Sequence, residues 1–143
     1  MGIEEGIIAG LWGGVIMALL SETGFRLGMS NSSLMLVDGL FAFRTMRKQP
    51  QPRVVYLVGT IIHLFTSAVF GIVYVVGCRI LGIDPVSFST LSVYAFLLWL
   101  AMLFVALPIS GQGLFGRRMG PYTPLVQLVI HAGFLAGFWR ALN

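Results

Sequence analysis

Four apolar runs, at about 6–28, 54–78, 91–109 and 124–142, take up most of this chain, and each is about the length an α-helix needs to cross the hydrocarbon core of a bilayer. Backbone polar groups in lipid must be satisfied within the fold, so stretches of this kind constrain structure more strongly than any motif. The expected architecture is an all-α membrane protein, four transmembrane helices in an up-down-up-down bundle. Composition agrees: 57% of the 143 residues are hydrophobic and only 10% are charged, where a soluble domain carries roughly a quarter. Four spans and their connections use up the length, so residues 1–143 read as one domain with no separate water-soluble catalytic module.

The first residues, Met1-Gly2-Ile3-Glu4-Glu5, are acidic where a secretory signal is basic, so the first helix is expected to stay in the protein. Gly6 stands where a myristoylation motif needs Ser or Thr. Cys78, the only cysteine, admits no internal disulfide and reads as a small packing residue. Basic residues set the orientation. Arg26, Arg44, Arg47, Lys48, Arg53, Arg117 and Arg118 follow the first and third spans, against only Arg79 and Arg140 on the other side. Positive charge stays cytoplasmic, which puts both termini on the periplasmic side of a bacterial inner membrane and argues against a dual topology. The same bias accounts for the net charge of +4 without any nucleic acid as partner.

The connections differ in character. Asn31, Ser32 and Ser33 are good N-caps ahead of Leu34, Met35, Val37, Leu40, Phe41 and Phe43, and a basic cluster follows. A short amphipathic helix over about 33–47 is expected on the cytoplasmic interface, with Gln49-Pro50-Gln51-Pro52 as a stiff link. Arg44, Arg47 and Lys48 would then lie over anionic headgroups or meet a partner subunit. Residues 82–87 read as a short outer turn. Gly111-Gln112-Gly113-Leu114-Phe115-Gly116 matches the spelling of a dinucleotide fingerprint, but a membrane span precedes it where that motif requires a strand, so no nucleotide is expected. It reads instead as a tight hairpin, with Pro108 ending the third span and Arg117 and Arg118 available to a lipid phosphate.

Three ionisable residues, Glu22, His63 and His131, fall inside these spans, where a charge costs from a few to ~10 kcal/mol. Gly6, Gly10, Gly14 and Ala18 precede Glu22 at four-residue steps, and Gly59, Ser67 and Gly71 flank His63 in the same way. Such stripes let helix backbones approach closely, so Glu22 and His63 are expected to face protein. Arg26, one turn on, offers Glu22 an ion pair; Ser67 or Thr60 is positioned to bond His63; Gln127 makes a similar polar strip with His131. At 1.5 Å per residue the three lie ~10–13 Å from the cytoplasmic ends of their spans, in one layer. Spans two and four are diagonal in such a bundle, so His63 and His131 are the candidate ligands of a haem b iron or, with Glu22, of a non-haem metal, the neighbouring glycines leaving space for a macrocycle. A hydrogen-bonded polar network that fixes helix register satisfies the same positions and ranks first. A proton or solute path through Glu22 ranks last. Tyr56, Trp99, Tyr122 and Trp139 read as interfacial anchors or lipid-facing bulk rather than a cofactor box.

His63 with Phe65, Phe70-Gly71 and Tyr74, the run from Pro108 to Gly116, Pro124, and His131-Ala132-Gly133-Phe134 with Gly137 together resemble a family of uncharacterised bacterial four-helix inner-membrane proteins. The resemblance covers spans two to four, leaves out Glu22, and implies a four-span helical fold with no activity attached. No catalytic constellation stands out. The functional expectation is an accessory subunit of a larger respiratory or otherwise energy-converting membrane complex, in contact with lipid and other membrane subunits. The alternatives are a haem or metal carrier using His63 and His131, and a small proton-coupled transporter using Glu22.

Overall fold

A computed structural model describes residues 2–143. Helices run α1 (Ile3–Arg26), α2 (Leu34–Thr45), α3 (Pro52–Leu81), α4 (Phe88–Ile109) and α5 (Thr123–Leu142), with a 3-10 turn at Leu114–Gly116 and no strand among the described residues. α1, α3, α4 and α5 are the ones long and apolar enough to cross a membrane.

The ends of the elements follow local chemistry. α3 begins two residues before the apolar run because Pro52 fits the first turn, where its missing N–H has no partner to lose. It continues to Leu81 and stops at Gly82, whose φ of 65° is a left-handed cap. α2 is capped twice: the Leu36 N–H donates to Ser33 Oγ at 3.4 Å, and the Leu34 N–H donates to Ser21 Oγ of α1 at 2.8 Å. α4 is not a regular helix. Residues Met102–Ala106 form a π turn just before Pro108. The proline ring crowds the carbonyl four residues back and supplies no N–H to it, so the preceding turn widens.

α1 sits centrally, with α3 packed on one side and α5 on the other; α4 leans on α5, and α2 lies against α3. α3 and α5 are therefore diagonal, as the topology predicted. The glycine stripes explain the closest contacts. A Cβ on Gly6 would stand 2.7 Å from the Gly71 carbonyl oxygen, and one on Gly10 would collide with the Ser67 carbonyl. Gly59 meets the Met35 carbonyl of α2 in the same way. These glycines are filled by neighbouring backbone, so the gap that was expected beside them for a macrocycle is closed. The core between the helices is apolar, built from Ala9, Met17, Leu34, Tyr74, Phe134 and Phe138, while Trp12, Phe65 and Leu125 point outward.

α2 forms where it was expected, but Leu34, Met35, Val37 and Gly39 are buried against protein. Its apolar side closes one end of the bundle, and its basic end at Arg44, Arg47 and Lys48 remains exposed. Consecutive helices α3 and α4 hardly meet along their length. Their link lies toward one end, where Tyr94 Oη donates to the Phe70 carbonyl at 2.7 Å and the Tyr74 and Tyr94 rings stand 5.0 Å apart. What separates them elsewhere is a cavity.

Candidate membrane-embedded binding cleft

The cavity has a volume of about 310 Å³ and is walled by α3 and the π turn of α4, with contributions from α1, α2 and α5. Exposed Phe70, Ala101 and Val105 form its rim, so it opens sideways between α3 and α4. Met17, Leu34, Phe41, Leu98 and Phe134 line it with apolar surface. Its polar groups are few: Asp38, His63, Thr66, Ser67 and His131.

His63 is positioned by the glycine crossing. With no side chain at Gly14, α3 comes close enough for Nε2 of His63 to bond the Gly14 carbonyl of α1 at 3.0 Å. Its other nitrogen, Nδ1, meets Asp38 Oδ2 of α2 at 3.0 Å. The partners expected from the sequence are engaged elsewhere: Thr60 Oγ1 donates to the Tyr56 carbonyl and Ser67 Oγ to the His63 carbonyl. Burial pushes the Asp38 carboxyl above the usual carboxylate range, and the hydrogen bond from His63 pulls it part of the way back.

His131 is 4% exposed and faces the cavity from α5. Its Nδ1 bonds the Gln127 carbonyl one turn back at 2.7 Å. A carbonyl only accepts, so Nδ1 carries the hydrogen and, in the neutral ring, Nε2 keeps its lone pair. Among the described residues Nε2 has no hydrogen-bond partner, and the buried Gln127 Oε1 has none either.

The two histidines therefore share one cavity, and Glu22 is not part of it. Glu22 Oε1 accepts from Arg26 Nε at 2.7 Å and Oε2 from Tyr56 Oη at 2.8 Å. Among the described residues no three His, Cys, Asp or Glu side chains converge as metal ligands. A haem or metal held by His63 and His131 would require His63 to give up one of its two bonds. Sequence reasoning missed Asp38, which it counted within an interfacial helix; an acid in the second helical turn after a Ser cap on an otherwise apolar stretch was the available signal. It also read Tyr56 and Trp99 as anchors, whereas Trp99 Nε1 donates to the Pro124 carbonyl at 3.0 Å and joins α4 to α5.

The basic loop residues gather at the α2 end. The Arg44 guanidinium rests against Gly111, whose φ is 86°, and Arg118 Nη1 donates to the Gly111 carbonyl at 3.0 Å. Arg117 is exposed beside them. Compared with family models, with curated proteins and with solved structures, the chain matches none. Its functional reading therefore rests on this geometry.

Proposed function

We propose that this chain is a bacterial inner-membrane protein, both termini periplasmic, that holds a lipid-soluble small molecule in the cleft between α3 and α4 without transforming it. One observation carries the reading: a cavity of about 310 Å³ opens sideways between α3 and α4 and is lined by two imidazoles and a carboxyl. That volume falls within the range of small-molecule sites, and mostly apolar walls with a few convergent polar groups are their usual lining. Packing is a main force that holds helices together in lipid, so a gap between two of them forfeits contacts unless something occupies it. The test is to purify the chain in mild detergent and extract what accompanies it, beside Ala101→Trp, which places a large ring in the mouth. A small amphiphile present with the wild type and lost with Ala101→Trp is the expected result. Identical extracts would overturn the reading.

A second reading, the accessory subunit of a larger energy-converting complex, draws support from α4, the least buried of the four long helices and packed mainly on α5. A partner helix would then complete its coverage, with Arg44, Arg47, Lys48, Arg117 and Arg118 toward the partner or the headgroups. Gentle isolation decides it: a stoichiometric membrane partner supports a subunit, and a chain recovered alone from native membranes does not. The resemblance to four-helix inner-membrane proteins fits either reading.

A further inference from the structure

We infer that the cleft selects an uncharged molecule whose apolar body ends in a hydroxyl group, because every polar atom it offers is a hydrogen-bond acceptor and its groups sum to no charge. The inference rests on the cleft being a ligand site and names the ligand's chemistry.

Charge comes first. His63 Nε2 faces the Gly14 carbonyl, so it must carry a hydrogen; a bare nitrogen there would set one lone pair against another. Nδ1 and Asp38 Oδ2 then share a single proton over 3.0 Å. Whether that proton rests on nitrogen, as an imidazolium beside a carboxylate, or on oxygen, as an imidazole beside a carboxylic acid, the pair is neutral in sum. Among the described residues no lysine or arginine lines the cavity. A charged head entering it from lipid would find no opposite net charge to offset its desolvation.

Donors and acceptors come next. The hydroxyl hydrogens of Thr66 and Ser67 are turned to backbone carbonyls of their own helix: Thr66 Oγ1 donates to Ile62 at 2.8 Å and Ser67 Oγ to His63 at 2.7 Å. His131 spends its hydrogen on Gln127 and leaves the Nε2 lone pair. Asp38 Oδ1 has no partner among the described residues, and it is an acceptor in both protonation arrangements because the shared proton lies on the Oδ2 side. A ligand bearing only a carbonyl or an ether would bring lone pairs to lone pairs. A hydroxyl supplies the missing hydrogen, and its tail or ring fits the walls of Met17, Leu98, Met102 and Phe134.

The experiment uses the full chain in lipid nanodiscs, with empty nanodiscs subtracting partition into lipid. The radiolabelled probes are 4-nonylphenol and farnesol, for phenolic and aliphatic hydroxyls, and 4-nonylanisole, nonylammonium and nonanoate as controls. The expected result is saturable binding of at least one hydroxyl probe, with nonylanisole at least about tenfold weaker and both charged probes weaker still. His131→Phe, which keeps a ring but no lone pair, is expected to narrow the phenol-to-anisole ratio; if that variant does not fold, the wild-type ratio alone decides. Equal affinity for phenol and anisole, or tightest binding by a charged probe, would overturn the inference while leaving a ligand cleft in place. Absence of saturable binding by all five probes, with extracts unchanged by Ala101→Trp, would remove both the inference and the cleft reading.

Discussion

The side chain that does most to organise this protein is His63, which joins three helices through two ring nitrogens: Gly14 of α1 on one side, Asp38 of α2 on the other, α3 in between. Removing the imidazole leaves a carboxyl facing apolar surface, so His63→Ala is expected to cost about 1–3 kcal/mol in denaturation followed by circular dichroism in detergent. Because each single truncation orphans the other partner, Asp38→Ala with His63→Ala should cost less than the sum of the two. Strict additivity would show that the pair is not coupled. Glu22 provides the contrast. Its cation Arg26 is 76% exposed in its side chain, so Glu22→Gln is expected to change stability by less than about 1 kcal/mol in the same assay. At this scale the sequence indicated that His63 and His131 turn inward and that Glu22 pairs with Arg26. It did not indicate Asp38, because an acid in a short amphipathic helix looks solvated until that helix is seen packed over the bundle.

At the level of the elements, backbone approach governs the fold. Gly6, Gly10 and Gly71 sit where α1 and α3 cross with carbonyl oxygens in the place of side chains. Gly10→Leu is expected to destabilise by about 1–3 kcal/mol, since the intruding atoms meet rigid backbone. Gly77→Ala, with nothing among the described residues within 4 Å of its new methyl, is expected to leave stability unchanged or raise it by up to about 1 kcal/mol through helix preference. A similar loss at both positions would refute close crossing as the reason for the stripe. The four-residue spacing in the sequence revealed this seam. The π turn at Met102–Ala106 was less legible: Pro108 announces a break, but whether a helix stops or widens before a proline depends on what the displaced carbonyls meet. Here the widened turn lines the cleft.

For the whole molecule, the charges of its loops make one orientation in the membrane the expected one. In a Cys78→Ala background, a cysteine at Thr45 is expected to react with an impermeant maleimide only after the cells are opened, and one at Ser89 in intact cells. The reverse pattern would invert the topology. Residues 111–118 and the basic end of α2 gather on the side assigned to the cytoplasm, where Arg44 and Arg118 meet at Gly111. The length and apolarity of the runs, the small-residue stripes and the loop charges dictate four long helices, their crossings and their expected direction, because each of these is a local property that a bilayer reads segment by segment. That α2 folds back over α3, that α3 and α4 stay apart, and that Asp38, His63 and His131 meet around the gap was decided only in three dimensions. Those contacts join positions 25 to 93 residues apart, and no spacing along the chain encodes which side chains a helix will face once its neighbours have packed.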